Sequence, residues 1–235
     1  MSSSGISGNG SGIGKPAMLL AGGRSDDPQQ MVRLLSQALS SQPNPVIAYI
    51  GTANGDSPIY FERMASSLYQ AGAKEVLLVS LATDTPALDK AREILSAADT
   101  IFLAGGEVED GIYWLKRHGI DKLLHKLYKE GKLFVGVSAG PIMMGSHWVH
   151  WDVPEKYETA SLFDCLGIIP ALFDVHGEEE DWHELKTALR LLGDGAQGYA
   201  LPRESMISAD NQGRMVNLAK EPLVFVNESG QIRQK

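Results

Sequence analysis

The chain has 235 residues, of which 43% are hydrophobic, so it is long enough for one large α/β domain or two small ones. Its net charge is −8 and no Lys/Arg-rich stripe stands out, which argues against nucleic acid as the main partner. Because the longest apolar runs are strand-sized, we expect no membrane span. No basic segment followed by an apolar segment is found near the N-terminus, so a secretory signal is not expected. The single cysteine, Cys165, fits a reducing compartment, so a cytoplasmic location is expected.

The first 14 residues are mostly serine and glycine, and we predict that they form a flexible tail. Residues 15–235 are predicted to form a single domain. Strands are predicted at Ala17–Ala21, Val46–Ile50, Glu75–Ser80, Thr100–Ala104 and Leu133–Val137, and helices near Pro28–Leu39, Pro58–Gln70, Pro86–Ala97 and Ile120–Glu130. Less regular strands follow near Ile168–Val175, Gly198–Leu201, Met206–Ser208 and Leu223–Val226, with a helix near Glu179–Leu192. Continuous apolar strands separated by helices predict an α/β fold with a mostly parallel sheet covered on both faces.

Glycine-rich or polar turns follow several of the predicted strands. They are Gly22-Gly23-Arg24, the run from Gly51 to Asp56, and Gly105-Gly106-Glu107. In open parallel sheets, ligands bind beyond the carboxyl ends of the strands. These turns therefore predict one shared cleft, although glycine is also common in ordinary turns between strands and helices.

The fifth predicted strand ends in Gly136-Val137-Ser138-Ala139-Gly140. This is the G-x-S-x-G pattern of a strand, a sharp turn and a helix, with the serine at the apex. Small neighbours let the chain approach itself closely, and neighbouring backbone N–H groups can face an oxyanion formed beside the serine. Ser138 is therefore a candidate nucleophile, although such short motifs also occur in ordinary turns.

A serine nucleophile needs a base, and histidine suits that role near neutral pH. Of six histidines, His176 is preferred because it ends an apolar run and is followed by a glycine. His147 and His150, just downstream of the serine, stay open. The candidate acids that would orient the imidazole are Asp152, Glu155, Glu158 and Asp174, and Glu158 is the weakest of these.

The chain resembles the serine peptidase family of dipeptidase E (aspartyl dipeptidase) and cyanophycinase. The features that carry the resemblance are Ala104-Gly105-Gly106, Gly136–Gly140 followed by Gly145, Asp152-Val153-Pro154 and Asp174-Val175-His176. The resemblance implies a flavodoxin-like three-layer sandwich similar to class I glutamine amidotransferases, with a serine in place of their cysteine.

The resemblance also implies the roles of the site residues. Ser138 would be the nucleophile and His176 the general base, with the backbone N–H groups of Gly106 and Ala139 as the oxyanion hole. Asp152 best matches the acid of the dipeptidases, while cyanophycinase-like members place an acid slightly later, which keeps Glu155 open. The expected substrate is a small peptide, and no metal or organic cofactor is expected.

The sequence departs from the family pattern at three places. Pro141 follows the serine turn, Glu107 replaces a frequent amide, and Gly177 to Asp181 carries four acids where the family tends to have arginines. A preference for N-terminal aspartate is therefore not expected. The acidic run predicts a substrate with a cationic group, unless these acids only stabilise a helix N-terminus.

Other interpretations stay open at this point. An α/β-hydrolase esterase shares the serine motif, but the chain is short for that fold and no His-Gly-Gly oxyanion motif precedes the serine. A catalytically inactive ligand-binding domain on the same scaffold is a second alternative. Cys165 lacks a strand–turn–helix context and is better explained as a buried thiol. The oligomeric state cannot be read from the sequence.

Overall fold

The computed structural model describes residues 17–21, 27, 29–153 and 156–235. The predicted tail, the turn Gly22-Gly23-Arg24 and the candidate acid Glu155 lie outside these residues. The strands are β1 (Ala17–Leu20), β2 (Val46–Ile50), β3 (Glu75–Val79), β4 (Thr100–Leu103), β5 (Leu133–Val137), β6 (His147–Trp151), β7 (Ala160–Asp164), β8 (Leu172–Val175), β9 (Gln197–Leu201), β10 (Met206–Ala209), β11 (Met215–Asn217), β12 (Leu223–Glu228) and β13 (Gln231–Gln234). The helices are α1 (Gln30–Ala38), α2 (Pro58–Gln70), α3 (Leu88–Ala97), α4 (Val108–Arg117), α5 (Ile120–Lys129), α6 (Ala139–Met144) and α7 (His183–Leu192).

The central sheet has the strand order β11-β10-β1-β5-β4-β2-β3. Strands β1 to β5 pair in parallel, whereas β10 and β11 extend the sheet by antiparallel pairing. Every residue of β4 and β5 is buried, as expected for strands in the middle of a parallel sheet. The carboxyl ends of β4 and β5 therefore lie side by side, and the candidate serine follows β5 directly.

Alternate residues of the central strands enter two separate hydrophobic clusters. One cluster includes Leu19, Ile50 and Leu103 and packs against α3, α4, α5 and α6. The other includes Leu20 and Tyr49, with further residues of the sheet, and packs against α1 and α2. Because successive side chains of a strand point to opposite faces, both faces are covered by helices. The result is a three-layer α/β sandwich with a mostly parallel sheet, which confirms the predicted fold class.

Two smaller sheets flank the end of the sandwich that carries the candidate site. Strands β6 and β7 form an antiparallel hairpin. Strands β13, β12, β9 and β8 form a four-stranded sheet in that order, with β8 and β9 parallel. Helix α7 packs against this second sheet through Leu185, Ala188 and Leu189. The predicted base, His176, directly follows β8, so this sheet positions it.

The sequence predictions agree with most of these elements. Strands β2 and β5 and helix α2 have the predicted bounds, and the helix predicted near Glu179–Leu192 begins later, at His183. Helix α4, the hairpin β6–β7 and strands β11 and β13 were not predicted. That residues 15–235 form one domain stays a prediction. Within the described segments, no helix is both long enough and apolar enough to cross a membrane.

Close backbone packing fixes the start of α6 against the sheet. A side chain on Gly140 would clash with the carbonyl oxygen of Leu103, at the end of β4. A side chain on Gly111 of α4 would instead meet the flexible end of Met143. Backbone atoms cannot move away as a methionine side chain can, so the absence of a side chain is required more strictly at Gly140.

We expect Gly140→Ala to lower the free energy of unfolding by about 2–3 kcal/mol, because the added methyl group overpacks a rigid backbone contact. The matched variant Gly111→Ala should cost less, because the atom nearest the added methyl group belongs to the side chain of Met143, which can shift more easily than the backbone of Leu103. Urea denaturation of both variants measures the difference. Equal costs, or a larger cost at Gly111, would contradict this packing account.

Candidate active site

The turn between β5 and α6 holds Ser138 in an unusual backbone conformation. Its φ is 57° and its ψ is −116°, a region that non-glycine residues rarely adopt. Such a conformation costs about 1–3 kcal/mol and persists only where the surroundings impose it. The Ser138 N–H donates a hydrogen bond of 3.0 Å to the carbonyl oxygen of Leu20, which ties the turn to β1. Ser138 is therefore held at the carboxyl end of the central strands, with the buried strands β1 and β4 on either side of β5.

The turn after β4 approaches the serine closely. A side chain on Gly105 would place its Cβ 2.8 Å from the Cβ of Ser138. Gly106 has φ +141°, and a side chain there would clash with the Ala53 carbonyl oxygen. The Glu107 N–H donates to that same oxygen at 2.7 Å, which fixes the turn beside the serine. The glycine pair predicted at this strand end is thus explained by two close backbone approaches.

Four of the predicted site residues line one cavity of about 1070 Å³. They are Ser138, Ala139, Gly106 and His176. The structure therefore brings together the predicted nucleophile, the predicted base and the two predicted oxyanion-hole residues. Trp148 and Trp151, from the unpredicted hairpin, also line the cavity, together with Asp174, His183 and a group of glutamates.

His176, the predicted base, lines the cavity and has no hydrogen-bond partner for its ring among the described residues. Both ring nitrogens are buried, and neither forms a hydrogen bond within the described part of the chain. Burial lowers the pKa of His176 below its usual value, although the nearby Glu178 acts in the opposite direction and Arg203 adds a smaller lowering. The imidazole is therefore unprotonated near neutral pH, which is the form that can accept a proton.

Asp152 does not line this cavity among the residues described. It follows β6, its side chain is 76% exposed, and its Oδ1 lies 3.3 Å from Nε2 of His150. The other ring nitrogen of His150, Nδ1, lies 2.7 Å from Oε1 of Glu109. The carboxylate predicted to orient His176 is thus paired with a different histidine here. Its role as the third member of the site, like that of Glu155, stays a prediction.

Asp174 is a carboxyl group in the cavity wall whose burial the sequence did not indicate. It is 3% exposed, and its Oδ1 accepts a hydrogen bond of 2.7 Å from the N–H of Val175. Burial raises the pKa of Asp174 to about 8, and the charge of Glu184 contributes further. This carboxyl group is therefore largely protonated at neutral pH and is a poor candidate for a permanently ionised partner of His176.

The remaining candidates are engaged elsewhere. Cys165 is buried, and burial raises its thiol pKa to about 12, so it is not an activated nucleophile. Three histidines hydrogen-bond or pair outside the cavity: His118 with the Thr83 carbonyl, His125 with the Leu166 carbonyl and His147 with Asp164. In the described ranges, no group of three histidine, cysteine, aspartate or glutamate side chains is arranged to hold a metal ion.

A mostly parallel three-layer sandwich, with a serine at the sharp turn after a central strand, is typical of the α/β enzymes that act through a serine. Within that class, the chain belongs to peptidase family S51, whose model matches residues 17–216. This confirms the family resemblance found in the sequence and makes the protein a peptidase-type hydrolase. It also leaves the α/β-hydrolase esterase interpretation without support.

Individual relatives agree with this assignment. The uncharacterized peptidase Lin0382 of Listeria innocua is 27% identical over 146 residues, which cover 60% of this chain and 68% of that protein. The uncharacterized peptidase YgaJ of Bacillus subtilis is 25% identical over 147 residues, covering 63% of this chain and 60% of the relative. In these matches the chain thus spans about two thirds or less of the length of the curated relatives.

Solved structures show the same fold. The crystal structure of a peptidase from an acI-B1 Actinobacterium superposes with a TM-score of 0.68 at 16% identity and covers 95% of both chains. A Listeria monocytogenes EGD-e protein provisionally assigned as a peptidase E superposes with a TM-score of 0.63 at 18% identity, over 89% of this chain and 100% of that one. At these identities, the likeness extends to the fold alone.

The pKa values of His176, in the cavity, and His150, in β6, should be shifted in opposite directions. We expect the pKa of His176 to lie below 6.5 because of burial, and that of His150 to lie above 6.5 because of its hydrogen bond to Glu109. Since the predicted base, His176, would act only when unprotonated, peptidase activity should fall on the acid side only below pH 6.5. NMR titration, with resonances assigned through His176→Gln and His150→Gln, measures both values. A higher pKa for His176 than for His150 would contradict this description of the site.

Proposed function

We propose that the protein hydrolyses small peptides by a serine mechanism in which Ser138 is the nucleophile and His176 is the general base. The observation that carries the proposal is the strained serine at the strand–helix turn, which shares one cavity with a histidine whose ring nitrogens form no hydrogen bond to the described residues. Membership of peptidase family S51 supports the same reaction class.

In this mechanism, the oxygen of Ser138 attacks the scissile carbonyl carbon while His176 accepts the hydroxyl proton. The oxyanion is held by the backbone N–H groups of Gly106 and Ala139, and the loss of one such donor costs about 3–4 kcal/mol in the barrier. His176 then protonates the leaving amine, and a water molecule, deprotonated by the same imidazole, hydrolyses the acyl enzyme. The cycle needs no metal or organic cofactor.

An acid that orients His176 completes the proposal, and Asp152 is the preferred residue, with Glu155 as the alternative. A carboxylate in this role fixes the tautomer of the imidazole and stabilises its charged form. For Asp152 to serve, its side chain must leave His150 and turn toward the cavity when substrate is bound. The hairpin that carries Asp152 also contributes Trp148 and Trp151 to the cavity wall, so a substrate in the cavity would contact the same element.

Ser138→Ala should lower kcat by about 10⁴-fold or more, because the reaction loses its nucleophile while the fold is retained. The measurement is amine release from a dipeptide panel, with Ser161→Ala as the matched control. Ser161 is an exposed residue of β7 outside the cavity, and its variant should keep wild-type activity. Full activity of Ser138→Ala would contradict the proposal. No turnover by the wild type across the panel would favour a catalytically inactive binding domain.

The two candidate acids are separated by conservative amide substitutions. Asp152→Asn should lower kcat by about 10²-fold to 10⁴-fold, since an amide can hold the wrong tautomer and cannot stabilise the imidazolium. Glu155→Gln should stay within about twofold of the wild type under the same account. Steady-state kinetics on the best dipeptide give the answer. The reverse order of effects would assign the role to Glu155.

A further inference from the structure

Three glutamates line the cavity without a cationic partner. They are Glu107, just before α4; Glu180, in the turn before α7; and Glu184, in the first turn of α7. Within the described part of the chain, none of them forms an ion pair with lysine, arginine or histidine. The charges of Glu180 and Glu107 both add to the burial that raises the pKa of Glu184, so the three carboxylates converge on one region.

The acidic run before α7 comprises residues 178–181, and only one of its four acids, Glu180, lines the cavity. Its other three members contact a basic side chain or a backbone N–H group and do not line the cavity. Their contacts are Glu178 Oε1 with the Arg203 N–H at 2.6 Å, Glu179 Oε1 with Arg203 Nη2 at 3.3 Å, and Asp181 Oδ1 with Lys186 Nζ at 2.7 Å. Stabilisation of a helix end and surface pairing therefore account for these three acids but not for Glu180.

A second and separate observation concerns Asp174. This side chain is 3% exposed, lines the same cavity, and has no cationic partner among the described residues. Its pKa of about 8 reflects burial first and then the neighbouring charges of Glu184 and Glu180. Such a carboxyl group stays protonated while no cation is near, and a positive charge entering the cavity would favour its ionised form.

On the basis of the proposed peptidase function, we propose that Glu107, Glu180 and Glu184, backed by Asp174, form a subsite beside Ser138 for the cationic side chain of an arginine or lysine residue in the substrate. The methylene stem of such a side chain can pack on apolar parts of the same wall, which Val108, Ile142 and Trp148 supply. Acidic side chains are repelled by the same charges, so the subsite also discriminates against them.

The test compares arginine with citrulline, which has nearly the same shape but no charge. The substrates are Arg-Ala, Ala-Arg, their citrulline analogues, and Asp-Ala, so that either position of the basic residue is covered. For at least one position, kcat/KM should be about tenfold higher for arginine than for citrulline, as expected of a charge-assisted contact. That ratio should decrease as salt is added, and Asp-Ala should be the poorest substrate.

The variants Glu180→Gln and Glu184→Gln should each reduce the arginine-to-citrulline ratio by about threefold or more, because each removes one negative charge from the cavity wall. The matched control is Glu179→Gln, which removes the same charge from the same run but outside the cavity, and it should keep the wild-type ratio. Thermal unfolding of each variant checks that the fold is retained. Equal arginine-to-citrulline ratios in the wild type and all three variants would overturn the subsite. Equal turnover of the arginine and citrulline peptides by the wild type would overturn it as well.

Calorimetric binding of the same peptides to the same four proteins separates this subsite from the proposed function. If no peptide is hydrolysed, but arginine peptides bind more tightly than citrulline peptides and Glu184→Gln removes the difference, the subsite holds and the peptidase proposal fails. If neither turnover nor binding distinguishes arginine from citrulline, the subsite fails whether or not Ser138 supports hydrolysis.

Discussion

The close approach between the ends of β4 and β5 is the constraint on which the rest of the site depends. Gly105 lies against Ser138, and Gly140 lies against the carbonyl of Leu103, so neither turn can relax without displacing the other. Buried strands on both sides and the hydrogen bond from Ser138 to Leu20 resist that displacement. Strain of about 1–3 kcal/mol at one residue is small compared with the free energy gained by burying two central strands. The packing of these strands therefore holds the serine in its strained conformation at the cavity.

Burial sets the direction of the pKa shift at some groups in and near the cavity, and a charged neighbour sets it at others. At His176, desolvation outweighs the nearby Glu178, and the pKa falls. At the exposed His150, hydrogen bonding to Glu109 outweighs desolvation, and the pKa rises. The carboxyl groups of Asp174 and Glu184 lose solvent and face other carboxylates, so their pKa values rise. A neutral imidazole next to an excess of acidic groups suits a site that accepts a proton from serine and attracts a cation.

Much of this arrangement follows from the sequence, and the exceptions have physical reasons. The parallel strands, the serine turn and the placement of His176 at a strand end follow from apolar runs and turn residues. Helix α4 was missed because Gly111 interrupts its pattern, although this glycine packs closely against Met143. The contact of Asp152 with His150 depends on side-chain geometry within a hairpin that the pattern did not reveal. The convergence of Glu107 and Glu184 joins distant parts of the chain, and no local pattern encodes it.

The central claim is that Ser138 is a nucleophile activated by His176, and covalent labelling tests it most directly. The protein would be treated with a fluorophosphonate, which modifies activated serines, and analysed by intact mass and peptide mass spectrometry. The account predicts one adduct per chain, located on Ser138, and a much slower reaction in His176→Ala. An unmodified Ser138 in protein that hydrolyses peptides, or an adduct on a different residue, would contradict it.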